Sequence, residues 1–279
     1  MKKKLFGNII TLALITLMVA GWNNANGQAK VTKSPTGKAP VEVNAQDKLK
    51  EQVMEIVKNS PKGFQLVEML NKAGAPYMID ITLPVERAEK MLTITSKSLA
   101  AGFYGVDTKY ASLYNRGDVE MKINQVLLGF FVDLGISGDV TVVNKLIKRI
   151  ADNKSNKDSV EILTSKAFTE FHKEMVNGSH SKVYGMIIMS ANVEALYILT
   201  QVSLYAKDNS KFLELMSSQK ERVRSVSKLL EALSGDVTIK PYYERIKPIL
   251  KFFEENNKIG NAELKKIAPE IEKLRNSMI

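Results

Sequence analysis

From Asn44 onward, apolar residues recur at three- and four-residue spacing along almost the whole chain, the period of helices buried on one face. Leu49, Val53, Ile56 and Val57 follow the capping candidate Asn44, and Phe64, Val67, Met69 and Leu70 define a second short helix ending near Gly74. Between Tyr77 and Leu83 the pattern alternates as a strand would, but a lone strand has no partner, so an extended connector is expected. Pro84 suits the first turn of a long helix carrying Val85, Ala88, Met91, Leu92, Leu99, Phe103 and Val106, bent near Gly102 and Gly105 and ending around Asn115 to Gly117. Further helices are predicted at 118–134, 139–151, 156–177, 181–206, 210–233, 239–256 and 261–277, each separated by turn-forming residues.

Connections this short make successive helices antiparallel. The expected fold is therefore all-α, either an antiparallel bundle or stacked helical hairpins, with nine to ten helices in a single domain over 44–279. No fixed-period consensus repeat runs through the chain. A five-residue echo exists, Val106-Asp107-Thr108-Lys109-Tyr110 against Val193-Glu194-Ala195-Leu196-Tyr197, each inside a long apolar helix.

Upstream the pattern changes. Lys2, Lys3 and Lys4 precede an apolar stretch from Leu5 to Trp22, and small-residue cleavage patterns follow, so 1–27 reads as a secretory signal peptide with a mature start at Gln28 or Lys30. Val19-Ala20-Gly21 resembles the lead into a lipidated cysteine, but Trp22 stands in that place and no thioether to lipid can form there. The expectation is an exported protein, soluble in the periplasm or outside the cell, with no stable membrane span after cleavage. Residues 28–43, with Pro35, Gly37 and Pro40 among small polar side chains, read as a flexible linker.

The chain has no cysteine, which excludes disulfides, thiolate metal sites and cysteine nucleophiles. Its net charge of +10 falls to +7 when the three signal-peptide lysines leave. Lysines greatly outnumber arginines and alternate with acids, the pattern of solvated helix faces. A nucleic-acid partner is not expected, since it would call for clustered arginines interleaved with aromatics.

Two helices carry the chemistry of interest. The run from Val183 to Leu199 is apolar around its circumference except for Ser190, Asn192 and Glu194, which places it at the centre of a core or in a membrane; the carboxylate and amide at its middle favour the core. The helix from Leu99 to Tyr114 carries Asp107 among Phe103, Tyr104, Val106 and Tyr110. A carboxylate in such surroundings is costly to desolvate unless something pairs with it. Asp107, Tyr110 and Tyr114 share one stripe with Tyr104 at its upper end, and Tyr197 stands three residues after Glu194. Tyr104, Asp107, Tyr110, Tyr114, Asn192, Glu194 and Tyr197 are thus the candidate ligand-binding residues, either fixing helix register through hydrogen bonds or lining a pocket between helices.

No catalytic constellation accompanies them. His172 and His180 are too few for a histidine metal site, and Glu170-Phe171-His172 lacks the spacing of a di-iron pair. There is no nucleophile elbow and no phosphate loop, so neither metal nor cofactor is expected. Gly102, Gly105 and Gly129, inside apolar helices, are attributed to close helix packing. The stretch Leu92 to Tyr114, with its Gly102-x-Tyr104-x-x-Asp107-x-x-Tyr110 pattern, resembles the central helix of an uncharacterised group of helical bacterial envelope lipoproteins. The resemblance implies an envelope address and an all-α fold and carries no activity with it.

The function expected is a non-enzymatic helical module that binds another envelope protein or peptide. The alternatives are a small-molecule carrier, or an enzyme, with a pocket around Asp107 and Glu194.

Overall fold

Burial of the predicted apolar stripes gives nine α-helices among the described residues of the computed structural model, which describes 45–135 and 180–279. They are α1 (Ala45–Asn59), α2 (Gly63–Lys72), α3 (Ile94–Leu113), α4 (Gly117–Asp133), α5 (Ser181–Tyr205), α6 (Ser210–Ser217), α7 (Lys220–Leu233), α8 (Lys240–Glu255) and α9 (Asn261–Asn276). There is no strand among the described residues, and the protein is all-α. The signal peptide, the linker, His172 and the helices expected at 139–151 and 156–177 lie outside the described residues.

Helix α5 is the axis, with α1, α2, α3, α6, α7 and α9 packed around it. That enclosure explains its composition: a helix apolar on all sides needs protein on all sides. Length and hydropathy alone would let α5 cross a membrane, but its window is 89% buried inside the protein. Its hydroxyls do not break the apolar surround, because Ser190, Thr200 and Ser203 donate to the carbonyls of Met186, Leu196 and Leu199 one turn back, at 2.7–2.9 Å.

Chain neighbours form antiparallel hairpins, as short connections require. Lys97 meets Asp133 and Thr108 meets Asn124 between α3 and α4. Helices α3 and α5, distant in sequence, instead run in the same direction: Gly102 lies against Ile187 to Ala191 while Asp107 meets Glu194. A Cβ on Gly102 would fall 2.3 Å from the Ile187 carbonyl oxygen and 2.0 Å from Ser190 Oγ, so only glycine admits this approach. Nothing lies within 4 Å of a Cβ at Gly105 or Gly129, and close packing does not explain those two glycines.

The structure corrects two boundaries. Pro84 opens no long helix; Val85–Lys90 is a 3-10 segment, and α3 begins only at Ile94. The start is set by a reciprocal cap in which Ser96 N–H donates to Thr93 Oγ1 and Thr93 N–H to Ser96 Oγ, both at 3.0 Å. The helix expected over 210–233 is two, α6 and α7, broken at Ser218 and Gln219, where the Gln219 side chain bonds the Leu215 carbonyl and Arg222.

Candidate functional site

The expected extended connector is interrupted by a 3-10 turn at Ile79–Ile81, and the polar groups on the inner stripe of α3 are matched to the backbone on either side of that turn, within the segment 75–84. Tyr104 Oη donates to the Pro84 carbonyl at 2.8 Å, and Asp107 Oδ2 accepts from Leu83 N–H at 2.8 Å. Tyr110 Oη donates to the Pro76 carbonyl and accepts from Met78 N–H, at 2.9 and 3.0 Å, and Tyr114 Oη donates to the Ala75 carbonyl at 2.6 Å. The stripe takes the place of a neighbouring strand. An extended segment cannot be buried with open N–H and C=O groups, and this one lies along a helix whose hydroxyls and carboxyl fall at the spacing it needs. The Tyr77 ring closes the far end, 5.0 Å from the Tyr110 ring and 5.5 Å from that of Tyr114, with the Arg116 guanidinium over it at 5.1 Å.

Asp107 also reaches across to α5. Its carboxyl group is in hydrogen-bonding contact with that of Glu194, and both residues are fully buried. Glu194 is in turn gripped by Arg275 of α9: Nε donates to Oε2 and Nη2 to Oε1, each at 2.8 Å, a two-pronged pairing. The guanidinium lies 4.6 Å from the Tyr197 ring centroid and 5.7 Å from that of Phe103, so aromatic faces sandwich the charge.

Two carboxyls and one guanidinium in a sealed site fix the protonation. Burial pushes Asp107 well above the usual carboxylate range, and the neighbouring Glu194 adds to the rise. Burial raises Glu194 as well, opposed by the Arg275 charge and its hydrogen bonds. Burial works against the Arg275 charge, yet Glu194 outweighs it and the guanidinium stays charged. The proton therefore resides on Asp107. Oδ2 accepts from Leu83 N–H, and Oδ1, which finds no donor among the protein groups, is the oxygen free to carry the proton. The cluster is then neutral, with every strong donor and acceptor matched.

Of the seven candidates, Asp107, Glu194 and Tyr197 meet in this cluster, while Tyr104, Tyr110 and Tyr114 serve the extended segment. Asn192 faces away, because residues two apart on a helix point to different sides. Its Nδ2 bonds the Ile188 carbonyl at 2.9 Å, and its Oδ1 accepts from Arg222 of α7. Sequence reasoning missed Arg275, Arg222 and Lys62. A signal for the first two was present, since arginine is scarce beside lysine in this chain and suits buried pairing better.

Among the described residues no group of three or more acids and histidines could hold a metal ion. His180, half-buried beside Gly135, joins none of these clusters. No protein-family model, curated protein or solved structure matches the chain.

Proposed function

We propose that the protein is a non-enzymatic interaction module of the bacterial envelope, exported by its N-terminal signal and carried on the linker that follows. The observation that supports this reading is that Asp107 and Glu194, the groups best able to do chemistry, are fully buried and bound to the protein itself. An acid and base at work need access to a reacting atom, and a carrier pocket needs an entrance. Neither carboxyl has one. The surface, by contrast, offers Leu92, Ile94 and Val132, exposed at 80%, 62% and 57%, at the end where α3 begins and α4 finishes. Large exposed side chains grouped in this way suit a protein partner.

Fractionation of the native cell with cross-linking tests the reading. The chain is expected in the envelope fraction, in a complex that a Leu92→Asp/Ile94→Asp double substitution dissolves and Asp107→Asn leaves intact. Recovery of the chain in the cytoplasm, or loss of its biological effect in a folded Asp107→Asn protein, would overturn it.

A further inference from the structure

The loop that follows α2 and the turn from α5 into α6 enclose a groove of about 410 Å³. Ala73, Gly74 and Pro76 form one wall, and residues between Tyr205 and Phe212 form the other. Both walls are fixed by bonds of their own. In the first, Gly74 takes a left-handed φ of 88°, Ala75 N–H closes on the Leu70 carbonyl at 3.0 Å, and the Tyr110 and Tyr114 hydroxyls of α3 donate to the Pro76 and Ala75 carbonyls. In the second, Phe212 is 5% exposed and anchors the turn in the core, while Asn209 Nδ2 is shared between the Ser203 carbonyl at 2.8 Å and Asn261 Oδ1 at 2.7 Å. The groove is thus preformed, and its volume falls toward the small end of the range of ligand sites, roughly 300–1,000 Å³.

Its lining combines an aromatic face with an excess of positive charge. Tyr205 is 70% exposed and its ring meets no other ring among the described residues, so a face suited to stacking is turned to solvent. Ala73, Pro76 and Ala206 continue the apolar part of the lining. Lys207 and Lys211 bring two ammonium groups against the single carboxylate of Asp208. Lys207 has no ion-pair partner among the described residues. Asp208 is already engaged, since the Ser210 N–H and hydroxyl both donate to its Oδ1, at 3.1 and 2.8 Å. Those bonds hold its carboxyl below the usual range, and it stays charged beside the lysines. The lining is therefore positive by one charge, which matches a monoanion; a dianion would set its second charge against Asp208. Two compact ammonium groups on flexible stems can close on such an anion from different sides.

We propose that this groove binds a small aromatic carboxylate, its ring stacked on Tyr205 and its carboxylate held by Lys207 and Lys211. The apolar residues of the opposite wall cover the far face of the ring, and the volume admits one ring with a short acidic arm. The site stands near the end of α3, where Tyr110 holds Pro76, whereas Ile94 of the exposed apolar surface is the first residue of that helix. It does not rest on the interaction surface at Leu92 and Ile94, and the two proposals fail separately.

NMR titration of the isotope-labelled full chain at neutral pH with phenylacetate, phenylacetamide, cyclohexylacetate and phenyl phosphate is the test. Phenylacetate is expected to shift the amide signals of Ala73, Gly74 and Ala206 to Phe212 along one saturating curve. Phenylacetamide lacks the charge and cyclohexylacetate lacks the aromatic face, and each should bind about threefold more weakly or worse. Phenyl phosphate should bind no more tightly than phenylacetate. These comparisons use the unaltered protein, so they hold even if a substitution disturbs folding. Tyr205→Ala, at an exposed side chain, is expected to remove the preference for the aromatic ring, and Lys207→Gln/Lys211→Gln the preference for the acid over the amide. Equal affinity for the acid and its amide, equal affinity for the aromatic and cyclohexyl acids, tighter binding of phenyl phosphate, shifts confined to residues outside the groove, or no binding at millimolar concentration would overturn the proposal.

Discussion

Helix α5 carries two buried polar clusters on opposite sides, and they differ in how their charges are met. At Glu194 the charges close on themselves: one guanidinium, one carboxylate and one protonated acid, each with its partners within the protein. At Asn192 the Arg222 guanidinium donates to two neutral amides, with no acid paired to it among the described residues. Burial lowers Lys62 to about 7, helped by Arg222, and burial lowers Arg222 to about 9. A balanced cluster serves register and stability.

Removing one member should show the difference. Arg275→Leu leaves the Glu194 carboxylate buried beside Asp107 with no cation, and the expected loss is about 3–5 kcal/mol in urea unfolding. A loss below about 1 kcal/mol would mean that the acids are not sealed. The crossing that brings them together comes next. Gly102→Ala drives a methyl into the Ile187 carbonyl and Ser190 and should cost about 1–3 kcal/mol, whereas Gly105→Ala, with open space around it, should stabilise by about 0.5–1 kcal/mol. Equal effects would contradict the parallel α3–α5 contact. The smallest change is expected at the Arg222 cluster: Arg222→Leu strands two neutral acceptors but relieves Lys62, for a net loss of about 1 kcal/mol. In the same variant the Lys62 pKa, followed by NMR, should rise from about 7 toward its ordinary value. An unmoved Lys62 would separate the two cations.

Much of this arrangement is legible in the chain. The 3.6-residue period locates α4, α5, α8 and α9 to within a residue or two, because each stripe is bounded by turn formers. The stripe Tyr104, Asp107, Tyr110, Tyr114 is visible too, as is the absence of a partner for the segment Tyr77 to Leu83. That these two facts answer each other is not visible, because helix α3 and the extended segment are paired by tertiary packing. The acid pair is foreshadowed by the echo of Val106 to Tyr110 in Val193 to Tyr197, whose acids do meet. Arg275 stands 81 positions after Glu194, in a helix with the ordinary pattern of a solvated face, and no local period marks it. The start of α3 at Ile94 turned on a Thr–Ser cap, which competes poorly in sequence with a proline ten residues earlier.

The proton on Asp107 is the centre of the account, and the pH dependence of stability reads it directly. A carboxyl whose pKa is raised on folding holds its proton in the folded state where the unfolded chain, near 3.8, has lost it. Its contribution to stability is therefore full below that value and falls as pH rises toward the folded pKa. Asparagine reproduces the protonated acid, with Nδ2 donating to Glu194 and Oδ1 accepting from Leu83, and has nothing to titrate. Urea unfolding of the unaltered protein and of Asp107→Asn across pH 4 to 9 should give curves that separate with rising pH, Asp107→Asn losing less. Parallel curves would show that Asp107 carries no proton in the fold and would contradict the sealed, neutral cluster.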